Sequence, residues 1–427
     1  MRTVDRLARW FAVVGLVSFG LVAVASAPAR ADSGEAAVSA ASQYQRIVSL
    51  GAAHSCAITD DGGVECWGDN QFGQLGTGDT TSSTTPRQVS GISGALELAA
   101  GNGHTCVLIH GGSVKCWGLD TSGQLGNGDA SLTDQDAPVD VVGLTDVRHL
   151  VAGDFHTCAL RTDGTVWCWG QDGMGQLGDG SPGDFSVTPE QVTGFPAGQT
   201  PVDLAAGQWH TCARTVDASN VYRLDCWGHN GFGQLGDNTT TNRSTPVPVL
   251  SPEDDTQPMT GVLAVTAGAF HTCAILDRSG RPVFCWGQNS YGQLGHKTAD
   301  DPNSPADLDP KLMVPSTRPL RVQDDADPDP LVDDPEDLTN ARTVSAGSNH
   351  TCVTLDGGGI DCWGQNGEGQ LGFDPKPSTD NRYEDTYLAR AAGTGGLGVV
   401  GGGQHTCAVK HGSLACWGYD LYGQLGG

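Results

Sequence analysis

The chain has 427 residues, with 23 Lys and Arg against 49 Asp and Glu, a formal net charge of −26. Nucleic acid and anionic membrane surfaces are bound by cations that displace counterions, so this balance argues against both and favours basic partners or cations. Glycine (62) and proline (22) punctuate the chain as turns do between short antiparallel strands, and no helical period competes.

The N-terminus places Arg2, Arg6 and Arg9 before an apolar run from Trp10 to Ala25, then the small-residue triplet Ala29-Arg30-Ala31. This is the layout of a secretory signal peptide over residues 1–31, cleaved before Asp32. A membrane anchor is the competing reading, but the apolar run is shorter than the ~20 residues a spanning helix needs. Removal takes away four arginines and Asp5, so 23 basic and 49 acidic side chains become 19 and 48 and the net charge about −29. The mature chain, residues 32–427, is expected to be exported, secreted or held at the cell envelope, monomeric and not inserted in a membrane.

From His54 the stretch "HSCAITDDGGVECWGDNQFGQLG" opens a motif that returns from His104, His156, His210, His271, His350 and His405. The first cysteines of the copies lie 50, 52, 54, 61, 79 and 55 residues apart, so each unit is roughly fifty residues long. Within a unit, an apolar run such as "LELAAG" reads as strand one and "HTCAL" as strand two. The Asp-Gly segment is a hairpin loop, "VxCWG" is strand three, and the Thr/Ser-Pro-x-x-Val run supplies strand four. Four strands repeated seven times predict an all-β fold, a seven-bladed β-propeller.

The fourteen cysteines fall into one pair per unit: Cys56 with Cys66, Cys106 with Cys116, Cys158 with Cys168, Cys212 with Cys226, Cys273 with Cys285, Cys352 with Cys362 and Cys407 with Cys416. Each pair brackets the hairpin loop, which sets its members opposite one another on neighbouring strands. In an oxidising compartment this predicts one disulfide per blade. Zinc is the alternative, because each unit also offers a histidine, but three ligands at hairpin spacing are not the four of a structural site. Strand alternation sends the tryptophan after the second cysteine to the other face, against the next blade's disulfide. The seven histidines, two residues before a cysteine, are expected to be structural rather than a catalytic or metal-binding ring.

The pattern G-x-x-H-[ST]-C … G-x-V-x-C-W-G-x-[ND]-x-x-G-Q-L-G, running from about Arg46 to Gly427, resembles the repeat of the regulator of chromosome condensation (RCC1) family. The resemblance implies a seven-bladed propeller, and its paired cysteines are similar to an exported bacterial branch. The founding member is a guanine-nucleotide exchange factor on chromatin, a role that an exported polyanion without a basic tail does not invite. Because the last copy stops at "GQLGG", the stretch "SAASQYQRIVSLG" is expected to complete the ring beside it.

Positions that repeat in every copy build the scaffold, so function is sought where copies differ. The residue before the histidine and the residue five after the tryptophan vary, and antiparallel pairing puts both at one end of the blade. In copies three, four and five these are Phe155 with Met174, Trp209 with Phe232, and Phe270 with Tyr291, an expected aromatic patch for a protein partner. A second candidate lies in the acidic insertion at about 296–341, where Asp325, Asp327, Asp329, Asp333 and Glu336 have the offsets of a calcium loop. Pro330 replaces its glycine, and a solvated acidic loop is the competing reading. No nucleophile elbow, phosphate loop or His-Glu-x-x-His is present, and no cofactor is expected. The sequence thus points to a secreted module that binds a protein through one propeller face. An extracellular carbohydrate-acting enzyme is the alternative; nucleotide exchange would follow by family analogy only.

Overall fold

A computed structural model describes residues 2–3, 45–295, 315–324, 336–372, 389–391, 396–410 and 413–426. Seven four-stranded antiparallel sheets form the blades of a propeller. Blade 1 consists of Val48–Leu50, His54–Ile58, Val64–Gly68 and Ser83–Gln88. The later blades keep this order, with strand two opening at His104, His156, His210, His271, His350 and His405. Strand one of each blade lies innermost, beside strand one of the next, around a central channel. At the upper end of the ring strand one turns into strand two and strand three departs for strand four; the hairpin between strands two and three lies at the lower end.

Each sheet is sandwiched between two others, so its middle strands are buried on both faces, as in His104–Ile109. Hairpin register sets the cysteines directly opposite one another on strands two and three, and all seven expected disulfides form. They join Cys56 to Cys66, Cys106 to Cys116, Cys158 to Cys168, Cys212 to Cys226, Cys273 to Cys285, Cys352 to Cys362 and Cys407 to Cys416, with Cα atoms 4.1 Å apart in each. Every cysteine is fully buried, and none is left over as a free thiol. The tryptophans pack on these disulfides in the opposite sense to the expectation: Trp117 lies on Cys56 and Cys66 of the preceding blade, Trp169 on Cys106 and Cys116, and Trp67 closes the ring on Cys407 and Cys416. Alternation fixes which face a side chain takes, but only the direction in which blades stack fixes the neighbour it meets.

The histidines are latches between blades. His54 Nε2 lies 2.9 Å from Thr105 Oγ1, and that hydroxyl donates to the Gln74 carbonyl at 3.0 Å. The hydroxyl proton being spent on Gln74, His54 is the donor and its Nε2 carries the hydrogen. The indole of Trp117 donates to the same carbonyl at 2.9 Å. Corresponding contacts run from His104 to Thr157, His156 to Thr211, His210 to Thr272, His271 to Thr351, His350 to Thr406 and His405 to Ser55. All seven imidazoles are fully buried, and their Nδ1 atoms have no hydrogen-bond partner. Burial pulls their pKa values down to about 3 or 4, helped at His104, His210, His271 and His405 by neighbouring histidines.

Two glycines of the motif make room for the latch. A Cβ on Gly51 would stand 2.2 Å from His54 Cε1, and one on Gly76, whose φ is +67°, would stand 2.7 Å from Trp117 Nε1. At such distances the imidazole and the indole could not seat.

The ring is not closed by the expected stretch. Val48–Leu50, from the stretch expected beside the last copy, is instead the innermost strand of blade 1, because it pairs with His54–Ile58. The fourth position of the blade 7 sheet is taken, opposite Ala415 and Cys416, by Arg2–Thr3, two residues of the segment expected to be cleaved, so a mature chain would leave that position empty. Part of the acidic insertion belongs to the fold: Ser316–Arg321 is strand four of blade 5, and Gln323–Asp324 pairs with Glu336–Asp337.

Candidate functional site

The two variable positions do share the upper end. Trp209 ends the turn into strand two of blade 4, Phe232 follows strand three of the same blade, and Phe270 is the counterpart of Trp209 in blade 5. Trp209 and Phe270 meet edge to face with centroids 5.6 Å apart at 74°, and Phe232 and Phe270 are tilted at 58° with centroids 5.3 Å apart. A fourth ring, His229, fills the middle, at 5.7 Å from Trp209, 5.6 Å from Phe270 and 6.1 Å from Phe232. The motif glutamine fixes this group, since Gln234 Oε1 accepts from the Phe232 amide at 3.0 Å and its Nε2 donates to His229 Nδ1 at 2.7 Å. Burial lowers the His229 pKa, so the imidazole is neutral at pH 7.

Of the six residues expected in one patch, Trp209 and Phe232 are thus each brought against Phe270. Met174 turns to the Asn242 amide, 3.3 Å from its sulfur, while Phe155 and Tyr291 flank the cluster on blades 3 and 5. All six are half-buried rather than fully exposed. Sequence reasoning does not single out His229. Its signal is the position after Trp-Gly, which reads Asp69, Leu119, Gln171, His229, Gln288, Gln365 and Tyr419 across the copies.

The channel has a volume of about 280 Å³ and a charged lower end. One position of strand one carries Glu97, His149 and Asp203 in three consecutive blades; the other copies hold Ile47, Ala264, Thr343 and Gly398 there. His149 Nδ1 is 2.7 Å from Glu97 Oε1 and its Nε2 3.0 Å from Asp203 Oδ1. Arg46 approaches both carboxylates, at 3.6 and 3.9 Å, and Gln45 donates to the Val344 and Val399 carbonyls across the ring. Burial alone would lower the His149 pKa, but Glu97 and Asp203 outweigh it and push it up to about 10. Two carboxylates and two cations satisfy one another, so this group plugs the channel mouth.

Among the described residues no group of three or more His, Cys, Asp or Glu side chains is arranged to hold a metal ion. The calcium candidates Asp325, Asp327, Asp329 and Asp333 lie outside the described residues; Glu336 begins a two-residue strand. Residue 1 and residues 4–31 of the expected signal peptide also lie outside them. No described helix is long and apolar enough to cross a membrane.

Residues 19–324 match the RCC1-like domain, and residues 341–370 match the regulator of chromosome condensation (RCC1) repeat. The chain is 29% identical to the ultraviolet-B receptor UVR8 of Arabidopsis thaliana over 391 residues, 89% of this chain and 78% of that protein. It is 34% identical to the probable E3 ubiquitin-protein ligase HERC4 of Mus musculus over 342 residues, 79% of this chain but only 28% of HERC4. Among solved structures, yeast RCC1 (Prp20) bound to Kap60 superposes with a TM-score of 0.66 at 20% identity, covering 96% of this chain and 88% of that one. Human WBSCR16 gives a TM-score of 0.64 at 22% identity, covering 85% of each. The domain match over most of the chain and the seven blades of one His, Cys, Trp and Gly-Gln-Leu-Gly motif together place this protein in the RCC1-like family.

Proposed function

We propose that this protein is an exported, disulfide-stapled interaction module that binds a protein partner through the upper face of its propeller. The observation that carries this reading is the cluster of Trp209, His229, Phe232 and Phe270, four rings from adjacent blades gathered at one place on that face. Clustered Trp and Phe with partial exposure are what protein interfaces use as anchors. The seven disulfides and the signal-like N-terminus support export.

The carbohydrate-acting alternative would draw on Glu97 and Asp203 in the channel. It ranks second on geometry, because both carboxylates are already engaged by His149 and Arg46. Asp203, although burial opposes it, is held well below the usual carboxylate range by His149, with Arg214 and Arg46 adding to the effect.

The test is affinity capture from the producing organism's medium and cell-wall extract with the oxidised mature protein and a folded Trp209→Ala, Phe270→Ala variant. A protein held by the parent and released by the variant supports the reading. Identical capture by both overturns it.

A further inference from the structure

The upper face differs from the lower in charge as well as in shape. In the described residues of its turns and strand-three-to-four loops the charged side chains are carboxylates, among them Asp134, Asp154, Asp184, Glu368 and Asp420, with no lysine or arginine. Arg87 and Arg243 reach back from strand four to pair with Asp79 and Asp237, but the described loops themselves supply no basic side chain. At the lower end arginines such as Arg161, Arg278 and Arg281 stand among the acids.

On this acidic face blade 7 carries a second apolar patch, away from the blade 4 and 5 rings. Leu421 is 70% exposed and Tyr422 39% exposed, and they are the only sequence neighbours among the exposed large apolar side chains of the described residues. The Tyr422 ring lies against Tyr419, with centroids 6.4 Å apart. Glu368 holds in blade 6 the position that Tyr422 holds in blade 7, on the same upper face.

Aromatic faces flanked by carboxylates are the surroundings in which a guanidinium or ammonium gains from both the ring quadrupole and the charge. A low-dielectric face of one sign also speeds the approach of the opposite charge. Resting on the binding function proposed above, we infer that the partner presents a segment bearing lysine and arginine, seated on Tyr419, Leu421 and Tyr422 and held by Glu368 and Asp420.

The probe is a fluorescently labelled twelve-residue peptide of alternating arginine and leucine, titrated into the oxidised mature protein near physiological salt. Its control is the same peptide with glutamate in place of arginine. The first variant, Glu368→Gln with Asp420→Asn, removes two charges without breaking the loop. Asp420 Oδ1 accepts from the Leu425 amide at 3.1 Å, as Asn70 Oδ1 does from Leu75 at 2.9 Å, so asparagine already serves in this position. The second is Leu421→Ala with Tyr422→Ala. The third, Asp60→Asn with Asp61→Asn, removes the same two charges from exposed lower-end positions. The inference predicts saturable binding of the arginine peptide, weakened at least tenfold in each of the first two variants and within twofold of the parent in the third. Absence of binding, equal affinity for the glutamate peptide, or equal losses in upper and lower charge variants overturns it. Should Trp209→Ala, Phe270→Ala release a captured partner while the arginine peptide fails to bind, the binding function stands and the cationic assignment falls.

Discussion

Acid is the perturbation to which this fold is most exposed, because each blade junction depends on a neutral buried imidazole. The seven latch histidines have pKa values of about 3 or 4 in the folded chain against an ordinary 6.5. Between pH 6.5 and 4 the unfolded chain therefore binds more protons at these sites, and stability falls as pH falls. Four carboxyls act the other way: burial raises Asp120, Asp154, Asp172 and Asp225 to about 6, so the folded chain holds their protons longer. At pH 5 seven imidazoles against four carboxyls leave a net of about three protons in favour of the unfolded chain, or ~4 kcal/mol lost per pH unit. Folded domains hold about 5–15 kcal/mol in total, so urea midpoints of the oxidised protein should drop steeply from pH 6.5 to 4.5. A His271→Gln variant, with one latch imidazole removed, should lose about 1.4 kcal/mol per pH unit of that slope. Midpoints that stay level or rise over this range would refute the latch account.

The channel plug should respond to base. The His149 pKa is raised to about 10, so its contribution is fully present below 6.5 and lost as pH rises through 10. Melts of the parent between pH 7 and 10 should show this loss, and His149→Gln should flatten it. Gly76→Ala sets a Cβ 2.7 Å from Trp117 Nε1, whereas Gly78→Ala at a similar φ of +80° meets nothing within 4 Å. Both should destabilise by about 1 kcal/mol for the backbone, with Gly76→Ala costing more; equal unfolding midpoints would show that the indole contact does not matter. Cys212→Ser with Cys226→Ser opens the longest disulfide loop, with a separation of 14 residues. The expected loss is about 3 kcal/mol by chemical denaturation; no loss would show that blade 4 is held without its staple.

The strand order, the seven disulfides and the upper-end location of Trp209, Phe232 and Phe270 were legible in the sequence, because seven copies of one unit reveal alternation and hairpin spacing directly. The hairpin that pairs Cys106 with Cys116 is built like those that pair Cys158 with Cys168 and Cys352 with Cys362, and two extra residues before Cys285 lengthen the loop without changing the register with Cys273. Long-range placement was not legible. The Trp117 neighbour lies in the preceding blade, Val48–Leu50 belongs to blade 1, and Glu97, His149 and Asp203 meet only because three blades point one strand position into the same channel. His229 escaped for a related reason: a lone histidine in a variable loop position says nothing until Gln234 and the adjacent blade's Phe270 fix it among three rings. Repetition specifies what every blade shares, whereas contacts between blades depend on how the blades stack.

The central claim is that the upper face binds a protein through the blade 4 and 5 rings. Its most direct test is the dissociation constant of the captured partner, measured for the parent and for Trp209→Ala, Phe270→Ala with both shown folded by their melts. Anchors of this kind each contribute ~2 kcal/mol, so loss of both predicts an affinity roughly a thousandfold weaker in the variant. Equal dissociation constants would contradict it.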